Sequence, residues 1–198
     1  SVRELVDNTG YDEISLSSLS TSDYTHLPEL TDFLVDEFTP ENIGISLPSL
    51  RLDNFSMEIA EKIQQVRKSG LTFAPEAGTQ RMRDVINKGV SEQDLKDATT
   101  KAFEMGWHSV KLYFMIGLPT ERYDDLDGIR DLAYDVIDTY RQVHGGKLSR
   151  KFSVTVSTST FVPKPFTPFQ WHPQDTQDVV RDKQQYLVKA LKNRDIRY

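Results

Sequence analysis

Residues 70–89 read GLTFAPEAGTQRMRDVINKG, and residues 109–121 read SVKLYFMIGLPTE. Two short apolar runs, Leu71–Ala74 and Val110–Ile116, each end in a turn rich in Gly, Pro and Glu, and a helical pattern follows each turn. Strand, polar turn and helix in repetition predict parallel βα units, whose ligand sites lie on the turns after the strands. The turns Pro75–Thr79 and Gly117–Glu121 are therefore the expected seat of the chemistry.

The same pattern extends outward in both directions. Ser1–Val6 reads as the last turns of an amphipathic helix ending near Gly10, with no cap before it, as expected of a segment from a longer protein. Tyr11–Leu19 alternates as a strand. A helix is expected near Leu27–Phe38 on the stripe Leu30, Phe33 and Leu34, then a strand at Ile43–Leu50. Ser56 can cap a helix with Ile59, Ile63 and Val66 inward, and Thr79 a short one carrying Met82, Val85 and Ile86. Ser91 and Asp94 form a capping box for a helix with Leu95, Ala98, Ala102 and Met105 inward. Asp124 or Asp125 starts the longest helix, broken by Gly145-Gly146. Phe152–Thr160 is a β-branched strand, followed by FVPKPFTPFQW and a last helix near Thr176–Lys192. Helical crossovers between successive strands are what a parallel sheet requires.

Strand parity predicts which face meets the helices. Ile14, Leu16, Leu71, Phe73, Val110, Leu112, Phe114, Ile116, Val154 and Val156 share the apolar parity. Ser15, Ser17, Ser46, Thr72, Ala74, Glu76, Lys111, Tyr113, Gly117, Thr155, Ser157 and Ser159 share the polar or small one. A closed eight-stranded barrel fills its interior with bulky branched residues. The polar set fits a curved sheet around a wet, ligand-holding cavity, with a doubly wound sheet as the alternative.

With 198 residues, 37% hydrophobic and 27% charged, the chain is expected to form one soluble globular domain over residues 1–198. No apolar run approaches the roughly 20 residues that span a bilayer and no secretory signal opens the chain, so no membrane association and a cytoplasmic location are expected. The net charge of -6 argues against non-specific nucleic-acid binding. With no cysteine, the chain offers neither a disulfide nor a thiolate ligand for an iron–sulfur cluster. The four histidines, His26, His108, His144 and His172, are scattered, so no metal site is expected.

In the first turn, Gly78 permits close backbone approach and Glu76 has the parity to accept hydrogen bonds from paired ribose hydroxyls, or else to sit as a carboxylate at a helix start. In the second, Ile116-Gly117-Leu118-Pro119 offers flat aliphatic surface and bare backbone that suit an adenine, or else makes an ordinary βα turn. Lys111 can be a Schiff-base lysine or the partner of a carboxylate. Phe161, Phe166, Phe169 and Trp171 can line a substrate mouth or cover the rim of the sheet.

PEAGTQRMRDVINKG and YFMIGLPTE, in this order and about 30 residues apart, resemble the fourth and fifth strand regions of the radical S-adenosylmethionine superfamily. SLSSLSTSDY, SLPSLRLD and FVPKPFTPFQW resemble a subgroup of uncharacterised iron–sulfur oxidoreductases, often B12-associated. The resemblance implies an α/β fold, a partial (β/α)6 TIM-like barrel, of which this chain carries parallel strands two to six with outer helices. It also implies an S-adenosylmethionine cofactor and a [4Fe–4S] cluster, held by a CxxxCxxC loop after the first strand that this chain lacks. The implied chemistry is reductive cleavage of S-adenosylmethionine to a 5′-deoxyadenosyl radical, supplied by cofactor and cluster while the protein binds and orients them.

Carried over by position, Glu76 resembles the ribose contact, Ile116 and Gly117 the adenine-contacting stretch, and Val162 a further adenine contact. Ser17 and Ser18 fall where many members carry a Gly-Gly-Glu that binds the methionine amino group; this sequence departs from that triplet. Ser46 and Arg51 fall where they can meet the methionine carboxylate. The resemblance implies that the longer protein is an enzyme of unknown substrate and that this chain alone is inactive. An edge left unpaired by the absent first strand invites dimerisation. A barrel lyase or aldolase using Lys111 and a non-catalytic binding module are the alternatives.

Overall fold

The computed structural model describes residues 2–16, 24–46 and 71–198. The expected helix after Ser56, and the candidate residues Ser17, Ser18 and Arg51, lie outside the described residues, as does the side chain of Ser46. The fold is α/β, with parallel strands and flanking helices, and no closed barrel forms among the described residues. It divides into two compact units, residues 1–71 and 72–198.

In the first unit, α1 (Val2–Thr9) leads into β1 (Glu13–Ser15), and α2 (Leu27–Phe38) leads through a 3₁₀ turn into β2 (Gly44–Ser46). Pro28 sits in the first turn of α2, where its missing N–H costs no helical hydrogen bond. β1 and β2 pair in parallel, Ile14 opposite Ile45. Leu34, Val35, Phe38, Ile43 and Ile45 form the core, with Ile14, Leu16 and Leu30 packed against it. Arg3 of α1 anchors to the Glu37 and Glu41 carboxylates and lies over the Phe38 ring.

In the second unit, β3 (Leu71–Glu76), α3 (Gln80–Val85), α4 (Glu92–Glu104), β4 (Ser109–Ile116), α5 (Tyr123–Val143), β5 (Ser153–Thr160), α6 (Gln177–Ala190) and β6 (Ile196–Arg197) follow in sequence. The sheet order is β3-β4-β5-β6, and the pairs β4–β5 and β5–β6 are parallel. Several strand limits differ from expectation; β1 starts at Glu13 rather than Tyr11. β3 runs on through Pro75 to Glu76, which its position at the edge of the sheet formed by the described residues allows, since an edge strand has backbone donors to spare. Beyond the last expected helix, Ile196–Arg197 forms a further short strand.

The helix-facing side is that of the apolar parity: Phe73, Val110, Leu112, Phe114, Ile116, Val154 and Val156 are buried, together with Leu126, Ile129, Ala133, Val136 and Ile137 of α5. Lys111, Tyr113, Thr155, Ser157 and Ser159 on the opposite face keep solvent access. Ser91 and Asp94 close the predicted capping box at the start of α4. No helix among the described residues is long and apolar enough to cross a membrane.

Candidate cofactor site

Glu76, the last residue of β3, has φ of 70°. The left-handed region is unfavourable for a residue with a Cβ, costing on the order of 1–3 kcal/mol. The turn beyond it is rigidly held. Gly78 packs backbone to backbone on α5: a Cβ there would stand 2.2 Å from the Asp125 carbonyl oxygen and 2.3 Å from the Ile129 nitrogen. The close approach that Gly78 permits is thus to a helix, with Gly128 as its counterpart 2.7 Å from the Gly78 carbonyl carbon if a Cβ were added. Arg83, 1% exposed, donates from one guanidinium nitrogen to the carbonyls of Ala77 and Gly78 at 3.1 and 3.2 Å.

Asp125 locks the same turn to α5. Its carboxylate accepts from the Thr79 hydroxyl at 2.5 Å, from the Arg122 backbone N–H at 2.7 Å and from Arg81. Burial works against this charge, but the hydrogen bonds from Thr79, Arg122 and Arg81 outweigh it and hold the carboxyl below its ordinary pKa. Arg81 also reaches the Thr120 carbonyl at 3.1 Å, joining the turn after β3 to the turn after β4.

The turn after β4 is held by a buried ion cluster. Glu121 accepts from the Gly117 backbone N–H at 2.7 Å and from Lys183 of α6 at 2.7 Å, and Lys183 also donates to Asp175 at 2.7 Å. Burial disfavours the Lys183 charge, but hydrogen bonds to Asp175 and Glu121 raise its pKa. For Glu121, burial pushes the carboxyl up and the Asp175 charge adds to it, while Lys183 and the Gly117 N–H pull the other way. Two carboxylates sharing one ammonium keep Lys183 charged. Gly117, with φ of 77°, comes close to Asp175: a Cβ would stand 3.0 Å from its carboxylate. Glu121 of the G-L-P-T-E run therefore fastens its own turn.

Between these turns and the segment after β5 opens a cleft of about 510 Å³. Glu76, Met115, Leu118, Phe161, Val162 and Phe169 line it, together with Lys88 and Lys164. Its apolar floor belongs to a cluster of Ala77, Met82, Leu118 and Phe161, with Met115 and Phe169 packed on it. The Glu76 carboxylate stands 3.7 Å from Lys88. Burial raises its pKa above the ordinary carboxylate value, against the pull of Lys88. Among the described residues five that are not glycine have positive φ; apart from Asn42 and Asn87, residues tolerant of it, these are Glu76, Thr120 and Phe166. Each of these three lies in one of the three segments that end at the cleft.

Of the expected ligand residues, the structure brings Glu76 and Val162 to one cleft, the latter 55% exposed. Ile116 faces the helices with no exposed surface, so that it can offer a ligand only its backbone, and its carbonyl already accepts from the Phe161 N–H at 2.8 Å. Gly117 likewise spends its N–H on Glu121. Lys111 lies with its ammonium over the Tyr113 ring, at 4.8 Å from the centroid. Among the described residues no group of three or more His, Asp or Glu is placed to hold a metal ion.

The family model of the radical SAM superfamily matches residues 1–133. The chain belongs to the radical SAM superfamily. It is also 33% identical, over 93% of its length, to an uncharacterised protein of Methanocaldococcus jannaschii, and spans 37% of that relative. The radical SAM match takes in the turns after β3 and β4, with Glu76 and Gly117. The buried Lys183 and the cleft residues Phe161, Val162 and Phe169 lie beyond the matched residues. Sequence reasoning missed Lys183, Arg83 and Asp125 as organisers of the site: Lys183 and Asp125 act through partners distant in sequence, and Arg83 through backbone carbonyls that its residue type does not announce.

Proposed function

We propose that this chain is the S-adenosylmethionine-binding part of a radical SAM enzyme, and that the cleft between Glu76 and Val162 takes the adenosine of that cofactor. One observation supports the reading: Glu76 and Val162, far apart in sequence and each resembling by position a nucleoside contact of the superfamily, line a single cleft. The fit is chemical as well as positional. A half-buried carboxylate can accept two hydrogen bonds from a ribose diol, and Leu118, Phe161 and Val162 supply apolar surface for a purine. The strained turn at Glu76 orients that carboxylate before any ligand arrives, so little ordering remains to be done on binding.

Residues Ser17, Ser18, Ser46 and Arg51 are proposed to meet the methionine end of the cofactor. A [4Fe–4S] cluster finds no thiolate in this chain, which contains no cysteine, so its ligands would come from elsewhere in the longer protein. When bound together, cofactor and cluster supply reductive cleavage of S-adenosylmethionine to a 5′-deoxyadenosyl radical. This chain's own residues bind and orient the nucleoside and shield it from water. An oxidoreductase role and a cytoplasmic location go with this reading.

Calorimetric titration of S-adenosylmethionine into the full-length protein, with iron quantified, tests it. Binding is expected to weaken roughly tenfold in Glu76→Gln and in Val162→Asp, each of which removes interactions of about 1–3 kcal/mol. 5′-Deoxyadenosine should form with the full-length protein and not with this chain alone. Absence of binding to the iron-loaded protein, or affinity unchanged in both variants, would overturn the assignment.

A further inference from the structure

We propose that the open face of the β3–β6 sheet binds an oxyanion, a carboxylate or phosphate group of the substrate, between Lys111 and Arg197. That the anion belongs to the substrate rests on the placement of S-adenosylmethionine in the adjoining cleft. Strand register puts these residues together. Lys111 lies opposite Thr155, and Thr155 lies opposite Arg197, so the three form one row across β4, β5 and β6. All three face away from the helices, since their neighbours Val110, Leu112, Val154, Val156 and Ile196 are buried on the other side. Strands are spaced about 4.8 Å apart, which sets the backbones of Lys111 and Arg197 roughly 10 Å apart, a span that two long cationic side chains can close over one anion.

Among the described residues Lys111 and Arg197 make no ion pair with a carboxylate, and the Lys111 ammonium rests on the Tyr113 ring instead. The open-face positions of the four strands carry one carboxylate, Glu76, and it is already beside Lys88. The remaining groups beside the row are hydroxyls, on Thr155 and on Ser157 opposite Tyr113. In a chain of 30 acidic and 24 basic residues, two cations that pair with no carboxylate among the described residues, flanking hydroxyls, form a donor set that an oxyanion satisfies and a neutral ligand does not.

The direction of Lys111 links this row to the cleft. Its ammonium lies over the ring two residues further along the same strand face, so it leans toward the end of β4 where Met115 lines the cleft. Lys111 and Met115 are four residues apart on one strand, roughly 13 Å, and the lean shortens that gap to the length of a small metabolite. A substrate anchored by its oxyanion would therefore present its other end at the nucleoside.

The test is a ¹H–¹⁵N NMR titration of the protein, without S-adenosylmethionine, with inorganic phosphate and separately with acetate, ionic strength being held constant with chloride. Saturable shifts are expected at Lys111, Tyr113, Thr155 and Arg197. Their midpoints should rise about tenfold in Lys111→Met and in Arg197→Met, the loss of one charge-assisted contact, and be kept in Lys111→Arg. Stronger binding of phosphate supports a phosphorylated substrate, and stronger binding of acetate a carboxylic acid. If neither anion shifts these residues of the wild-type protein beyond chloride, or if folded Lys111→Met and Arg197→Met respond as the wild type does, the proposal is wrong. Anion binding without S-adenosylmethionine binding would overturn the cofactor reading alone, and the reverse result this one alone.

Discussion

Glu76 is at once the residue proposed to meet a ribose and, among the described residues, one of the few held against its backbone preference. These two properties predict opposite effects of one substitution. Glycine adopts positive φ without penalty, whereas alanine keeps the Cβ that causes the strain. Glu76→Gly is therefore expected to be about 1 kcal/mol more stable than Glu76→Ala, as read from urea denaturation midpoints. On the proposed cofactor reading, both should also bind S-adenosylmethionine more weakly. Equal midpoints for the two variants would show that the backbone at Glu76 stores no strain. The side chain's own chemistry points the same way: burial raises its pKa, so the folded protein carries a carboxylate that would be more easily accommodated in water.

At the scale of elements, the turns depend on α6 and α5 as well as on their own sequence. Lys183 bridges Glu121 and Asp175, and its removal leaves two carboxylates close together with no counter-charge. Lys183→Met is expected to cost about 3 kcal/mol in urea unfolding, as for other broken buried ion pairs. Glu121→Gln in that background should recover part of the loss, since one of the stranded charges is then gone. A double-mutant cycle without coupling would remove Lys183 from the support of the Gly117–Glu121 turn. The strands themselves were legible in the sequence, because a period of two over Val110–Ile116 and Phe152–Thr160 reports directly which side chains face the helices. The cluster was not: Lys183 lies 62 residues from Glu121 and reads on its own helix as one more surface lysine. Gly78 shows a subtler limit. Its need for close approach was legible, but the object approached, the backbone of α5 at Asp125 and Ile129, was not. The two-residue β6 fell below the length at which alternation can be recognised.

Over the whole molecule, the polar set of strand residues that the sequence marked as one face does lie on one face in β3 to β5, and the candidate site gathers at the strand ends. What remains open in the fold is edges. β1 is three residues long and, among the described residues, pairs on one side only, with β2. A free edge presents unpaired N–H and C=O groups that a second chain can meet. The net charge of -6 opposes such association by mutual repulsion, so it should strengthen with salt as that repulsion is screened. Sedimentation of this chain is therefore expected to show a dimer that grows with protein concentration and with added sodium chloride. Ser15→Pro, which removes one edge donor and sets the backbone against a further strand, should return it to a monomer. A chain that stays monomeric at every salt concentration, or a dimer indifferent to Ser15→Pro, would show that the β1 edge is not used.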